Sequence, residues 1–221
     1  MTRYEIIQQQ LESSVDALMR AALRQIDRMM RKGATLEEIL AALRTFRLPP
    51  GEALKLKNAL DAAMNDITDI RGSVVKQLSS ADILTVKAAA SLSFPKLQND
   101  LRKGLIPTVQ RAIAAELGPT ALMHQLRQLK VSQPKTLALT SLSQFNNELT
   151  FATAEVTGTK KFLYSGPVGP NTRPFCREHA GKIYTLAEIE KMNNGTDLSV
   201  RSSCGSYNCR HHWIAAPDEG K

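Results

Sequence analysis

Aromatic residues are scarce in this chain. They make up 5% of its 221 residues, with a single tryptophan. A sandwich of sheets packed on large rings is disfavoured, and the core must come from Leu, Ile, Ala, Val and Met, which suits packed helices. There are three cysteines, and an odd, small number argues against a disulfide framework. No run reaches the roughly 18 uninterrupted apolar residues of a membrane span. The N-terminus, Met-Thr-Arg-Tyr-Glu, lacks the apolar segment of a secretory signal, which predicts synthesis in a reducing cytosol. Also missing are a Gly-rich phosphate loop, a Gly-x-Ser-x-Gly elbow and a His-Glu-x-x-His helix, so common routes to phosphoryl transfer, acyl transfer and zinc proteolysis have no carrier.

Basic residues are plentiful by contrast: 29 Lys and Arg stand against 21 Asp and Glu, a net charge of +8. Residues 165–221 hold seven bases and six acids, so +7 of the excess lies in residues 1–164. Such an excess favours contact with nucleic acid or an acidic protein surface, and a solvated basic face is the plainer alternative.

Residues 4–31 predict a long amphipathic helix with Ile7, Leu11, Val15, Leu18, Ala22, Ile26 and Met29 on one side. Arg20, Arg24 and Arg28 form a row on another face, with Arg31 and Lys32 just beyond. That row fits phosphates or an acidic partner, or simply water. Gly33 should end the helix, and Thr35 with Glu38 should open the next through a capping box, running to about Arg47. Leu48-Pro49-Pro50-Gly51 predicts a break. Further helices are expected over 52–70, up to Ala90 after an interruption at Gly72 or Ser73, over 96–116, over 120–130 and over 135–158. Ser93-Phe94-Pro95 reads as a turn, and Pro107 should break or kink its helix. The helix at 135–158 is rich in Thr, Ser and Asn, which suits packing on a polar layer.

The texture changes after Gly158. Lys160–Tyr164, Gly181–Tyr184 and Leu198–Arg201 read as short strands among dense turn formers, with a capped short helix from Thr185 to about Met192. The expected fold is α+β: a mainly helical, basic body over 1–158 and a small α+β Cys/His module over 159–221. A unit so poor in apolar mass usually needs a metal or a docking surface.

All three cysteines and three of the four histidines fall between Asn171 and Trp213. Cys176-x2-His179 and Cys209-x-His211 make two short pairs of the kind that tetrahedral zinc accepts, with Cys204 or His212 as substitutes for one member. Without a metal, the cysteines become small buried apolar residues and the histidines bond to backbone. A third reading makes His211 and His212 the base and metal-binding pair of a nuclease. The only aspartates nearby are Asp197 and Asp218, a thin set for that chemistry.

The order Thr172-Arg173-Pro174-Phe175-Cys176, Gly181-Lys182-Ile183-Tyr184-Thr185, Glu188-Ile189, Met192-Asn193-Asn194-Gly195 and Tyr207-Asn208-Cys209-Arg210-His211-His212-Trp213 resembles the C-terminal domain of tailed-phage minor head proteins, the phage Mu F-like head morphogenesis family. The likeness covers about residues 160–215 and, more loosely, Thr153 to Glu155 in the helix before them. Where that family often has an aspartate before the Arg-Cys element, this chain has Gly169-Pro170-Asn171. Tyr207 and His211 replace the first His and last Cys of the commoner closing motif. The resemblance implies a non-enzymatic virion or procapsid protein, made in the host cytoplasm and present in several copies near the portal vertex. It would contact the portal, other head or neck proteins, or packaged double-stranded DNA. The competing expectations are a metal-dependent nuclease and a DNA-binding protein.

Overall fold

The structure is a computed structural model that describes residues 3–47, 50–90, 94–128 and 132–216. The described elements run, in chain order, α1 (Arg3–Arg31), α2 (Leu36–Arg44), α3 (Pro50–Val75), α4 (Ser80–Ala89), α5 (Phe94–Ala114), α6 (Pro119–Gln128), α7 (Ser132–Thr157), β1 (Lys161–Ser165), α8 (Pro174–His179), β2 (Ile183–Thr185), α9 (Leu186–Lys191), α10 (Val200–Ser203) and β3 (His212–Ala216). The fold is α+β, helical through most of its length, with one small sheet near the C-terminus. No helix among the described residues is long and apolar enough to cross a membrane. Leu48, Pro49, Ser93 and Asp218, which carried expectations above, lie outside the described residues.

The chain forms two compact units, Met1–Leu60 with Leu92–Ala138, and Asp61–Ser91 with Leu139–Lys221. This division differs from the expected cut at 158. The reason lies in α7, whose polar side chains from Thr140 onward are bonded to the Cys/His region.

In the first unit α1 buries the expected stripe, Ile7, Leu11, Val15, Leu18, Ala22 and Ile26. Each large member contributes about 1.5–3 kcal/mol by leaving water. Gly33 closes α1 in the left-handed region (φ 83°), with Ala34 N–H donating to the Met29 carbonyl and Gly33 N–H to that of Met30. The Thr35–Glu38 capping box forms as expected. Helix α5 sends Leu97, Leu101, Leu105 and Val109 into the core. It runs on through Pro107, contrary to the expected break. Only one intrahelical donor is lost there, and Thr108 Oγ1 donates back to the Gly104 carbonyl. Those four buried apolar side chains anchor the helix on both sides of Pro107.

In the second unit α3 is interrupted at Gly72, whose φ of 43° and ψ of −110° are not helical, as the sequence suggested. The three strands pair antiparallel in the order β2-β1-β3. Phe162 and Tyr164 point inward from β1, and Tyr164 faces Trp213 across β3. Six of the eleven aromatic residues, Phe151, Phe162, Tyr164, Phe175, Tyr184 and Trp213, gather in this one core. Tyr164 and Trp213 meet edge to face with centroids 4.8 Å apart. The third strand is not at Leu198–Arg201. Residues 200–203 form α10, which closes with Ser203 N–H on the Ser199 carbonyl and Cys204 N–H on that of Val200. The free edge of β1 is taken by His212–Ala216 instead.

Candidate metal centre

Helix α7 supplies the platform on which the Cys/His region is laid. Asn147 is fully buried: its Nδ2 donates to the Ser202 carbonyl (2.8 Å) and toward Cys204 Sγ (3.5 Å), and its Oδ1 accepts from Trp213 N–H (3.0 Å). Thr150 Oγ1 donates to the Trp213 carbonyl, and Thr140 Oγ1 accepts from Asn208 N–H at 2.8 Å. One row of polar residues thus holds both α10 and β3. The segment between them, 204–208, turns back on itself because Cys204, Ser206 and Asn208 all have positive φ (51°, 103° and 50°).

Helix α8 begins with Pro174 in its first turn and carries Cys176 into the core. Arg173 Nη2 donates to the Tyr207 carbonyl (2.7 Å) and ties α8 to the 204–208 turn. Arg177 Nη2 reaches the carbonyls of Gly169, Pro170 and Thr172 at 3.3–3.4 Å and folds the segment before α8 into a strap. Gly166 lets that strap lie against His211, since a Cβ there would stand 2.6 Å from the imidazole Cγ.

Cys176, Cys209 and His211 converge, all buried, with one ligand atom of each within 4.8 Å of the others. Cys176 Sγ and Cys209 Sγ are 3.6 Å apart, and Cys209 Sγ lies 3.8 Å from His211 Nδ1. A disulfide would need about 2.05 Å between sulfurs. Two thiolates and an imidazole on one tetrahedral zinc stand about 3.8 Å (S to S) and about 3.6 Å (S to N) apart, from bond lengths of about 2.3 and 2.0–2.1 Å. The Cys176–Cys209 and Cys209–His211 edges are each within about 0.2 Å of those values.

His211 turns its Nδ1 toward Cys209 Sγ, and its Nε2 is buried without a partner among the described residues. The ring is held by stacking on Tyr164, 5.2 Å between centroids and 21° between planes. Cys209 Sγ accepts from Cys176 and from Gly205 N–H (3.4 Å), and lies beside His211. These contacts, the one from Cys176 above all, hold its thiol down to about 4. Cys176 is pushed up by its bond to Cys209 and by burial. The bond between the two sulfurs thus favours the charge on Cys209 and the proton on Cys176. The buried Cys176, Cys209 and His211 group can hold a metal ion, and doing so expels the Cys176 proton.

The other sequence candidates sit elsewhere. His179 is not part of the cluster: it ends α8 with its ring 4.3 Å from Phe175 and its Nδ1 2.7 Å from Tyr184 Oη. Burial lowers its pKa. Cys204 is fully buried against Asn147, and burial pushes its thiol up. His212 belongs to β3 opposite Ser165, on the strand face away from Trp213. Burial and then Arg71 lower its pKa. Arg20, Arg24, Arg28, Arg31 and Lys32 are all exposed, with Arg31 paired to Asp27 at 2.9 Å.

Asn147, Tyr164 and Gly205 are the site residues that sequence reading passed over. Tyr164 Oη donates to Cys176 Sγ (3.3 Å). A Cβ on Gly205 would stand 2.1 Å from Cys176 Sγ and 3.3 Å from Cys209 Sγ. The signal available was the buried row Thr140, Asn147 and Thr150, polar at helical spacing.

Comparison with protein-family models, with curated proteins and with solved structures finds no match to this chain.

Proposed function

We propose that this chain is a structural minor head protein of a tailed bacteriophage, with a C-terminal module stapled by zinc on Cys176, Cys209 and His211. One observation carries the reading: the residues of the head-protein-like motif are the ones that close the module. Arg173 clamps the 204–208 turn. Thr185 and Glu188 cap α9 reciprocally. Asn194 Nδ2 donates to the carbonyls of Leu198 and Cys204. Cys176, Cys209 and His211 form the ligand group. A motif spent on architecture suits a docking module better than an active site.

The nuclease alternative draws less support. His211 is buried in the ligand group, and His212 lies on the other side of its strand from Trp213. Among the described residues no Asp or Glu lines the cleft beside the cluster, so no carboxylate base stands in its walls. In the proposed role the module docks on the portal or a neighbouring head or neck protein, within the virion or procapsid. The exposed Arg20, Arg24 and Arg28 row meets packaged double-stranded DNA or an acidic portal surface.

Mass spectrometry of purified procapsids and mature particles should find the chain at a fixed low copy number. Consistent absence from both would overturn the proposal. Elemental analysis of the purified protein should give about one zinc per chain, and a metal-free protein of unchanged stability would remove the staple. Plasmid DNA incubated with the protein and Mg2+, Mn2+ or Zn2+ should stay intact.

A further inference from the structure

The metal-ligand group supplies three donors, and tetrahedral zinc takes four. The nearest candidates for the fourth are committed elsewhere. His179 is bonded to Tyr184, Cys204 sits on Asn147, and the Tyr164 hydroxyl gives its proton to Cys176. All three ligand residues, though buried, line one cleft of about 490 Å3, so the cleft reaches the cluster.

The walls of that cleft have a definite charge. Two thiolates balance the charge of a divalent ion, and a neutral imidazole adds none. What remains is Arg173 and Arg210, both exposed on the cleft, with no carboxylate in its lining among the described residues. Arg173 is already fixed by the Tyr207 carbonyl. The opposite wall is the strap held by Arg177, with Gly169 N–H donating to Thr172 Oγ1 at 2.7 Å. The walls are therefore set before any ligand arrives, which lowers the ordering cost of binding.

We propose that this cleft binds an oxyanion, a phosphoryl or carboxylate group, as the fourth ligand of the metal, with Arg173 and Arg210 pairing its outer oxygens. This rests on the metal reading above. Guanidinium groups suit such oxygens because they offer parallel donors in one plane. Cys176, Cys209 and His211 are spent on the metal, and no carboxylate stands beside them in the lining among the described residues.

The test uses the full-length protein loaded with Co2+ in place of zinc. Tetrahedral cobalt bound by thiolates shows charge-transfer bands in the near ultraviolet and ligand-field bands in the visible. Titration with inorganic phosphate, and separately with acetate, should shift the visible bands saturably. A response to phosphate alone assigns a phosphoryl ligand, and a response to acetate alone a carboxylate. Arg210→Gln should weaken the effective anion about tenfold, whereas Arg210→Lys should recover part of the loss, with the thiolate–cobalt band unchanged in both. Bound cobalt whose visible bands ignore both anions would overturn the oxyanion site and leave the metal reading standing. Absence of the thiolate–cobalt band would remove both.

Discussion

A side chain at position 205 has nowhere to go. Its first carbon would stand 2.1 Å from Cys176 Sγ, and that sulfur is held from two other sides by Tyr164 and Cys209. Gly205→Ala should cost about 3 kcal/mol, at the upper end of overpacking in a tight core, and should weaken metal binding as well. Urea unfolding checks it, and a wild-type midpoint would contradict it. The thiolate at Cys209 makes a second prediction. Its pKa is depressed from 9.0 to about 4 in the folded protein, so between those values the unfolded chain binds the extra proton. Stability of the metal-free protein should thus rise with pH across that window and fall as pH drops toward 4. Cys176, shifted upward, is protonated in both states below 9 and adds nothing there. His179 and His212, lowered from 6.5 by burial, add a fall of the same sign below that value. Comparison with Cys209→Ser between pH 5 and 8 isolates the thiolate: the variant should lose most of the slope. Cys176, Cys209 and His211 were legible from residue type as a group that could hold a metal. The error was to include His179, whose i, i+3 spacing from Cys176 looked like a knuckle. On α8 that spacing delivers the ring to Phe175 and Tyr184. The tight Cys209-x-His211 pair works because Ser206 and Asn208 adopt left-handed conformations, which nothing in their identities announces.

Among the elements, α7 has the most consequential sequence. Its Thr, Ser and Asn residues read as a polar layer, and the structure gives that layer a purpose: Asn147 alone satisfies the Ser202 carbonyl and the Trp213 N–H. Asn147→Leu keeps the volume but strands both groups. At about 1–3 kcal/mol for each buried unsatisfied group, the loss should be about 3 kcal/mol, read as a lower unfolding midpoint. A change below about 0.5 kcal/mol would show that α7 does not hold β3. The helices and caps were legible because 3.6-residue periodicity, Gly33, Thr35 and Thr185 are local signals. The sheet was only half legible. Lys161–Ser165 and Ile183–Thr185 were anticipated within a residue or two, but the third strand was expected at Leu198–Arg201 and not at His212–Ala216. What decides between them is which segment reaches the edge of β1, and that depends on contacts 50 residues apart.

For the whole molecule, the basic excess is the property to test. If Arg20, Arg24 and Arg28 meet DNA, replacing all three with Gln should reduce the slope of log K against log salt by roughly 0.9 per lost phosphate contact. An unchanged slope would assign the row to a protein partner or to solvation. The expected boundary at 158 failed because composition changes there while packing does not: Phe151 and Ala154 of α7 belong to the same buried cluster as Phe162 and Trp213. That shared cluster has a temporal side. A ribosome makes β1 and Cys176 well before it makes Cys209, His211 and the Trp213 strand. During that interval the growing chain carries half a core and Cys176 without its partners in the cluster. Only when β3 emerges beside β1 can the Cys176, Cys209 and His211 group close, so the module's maturation is timed by the arrival of one five-residue strand.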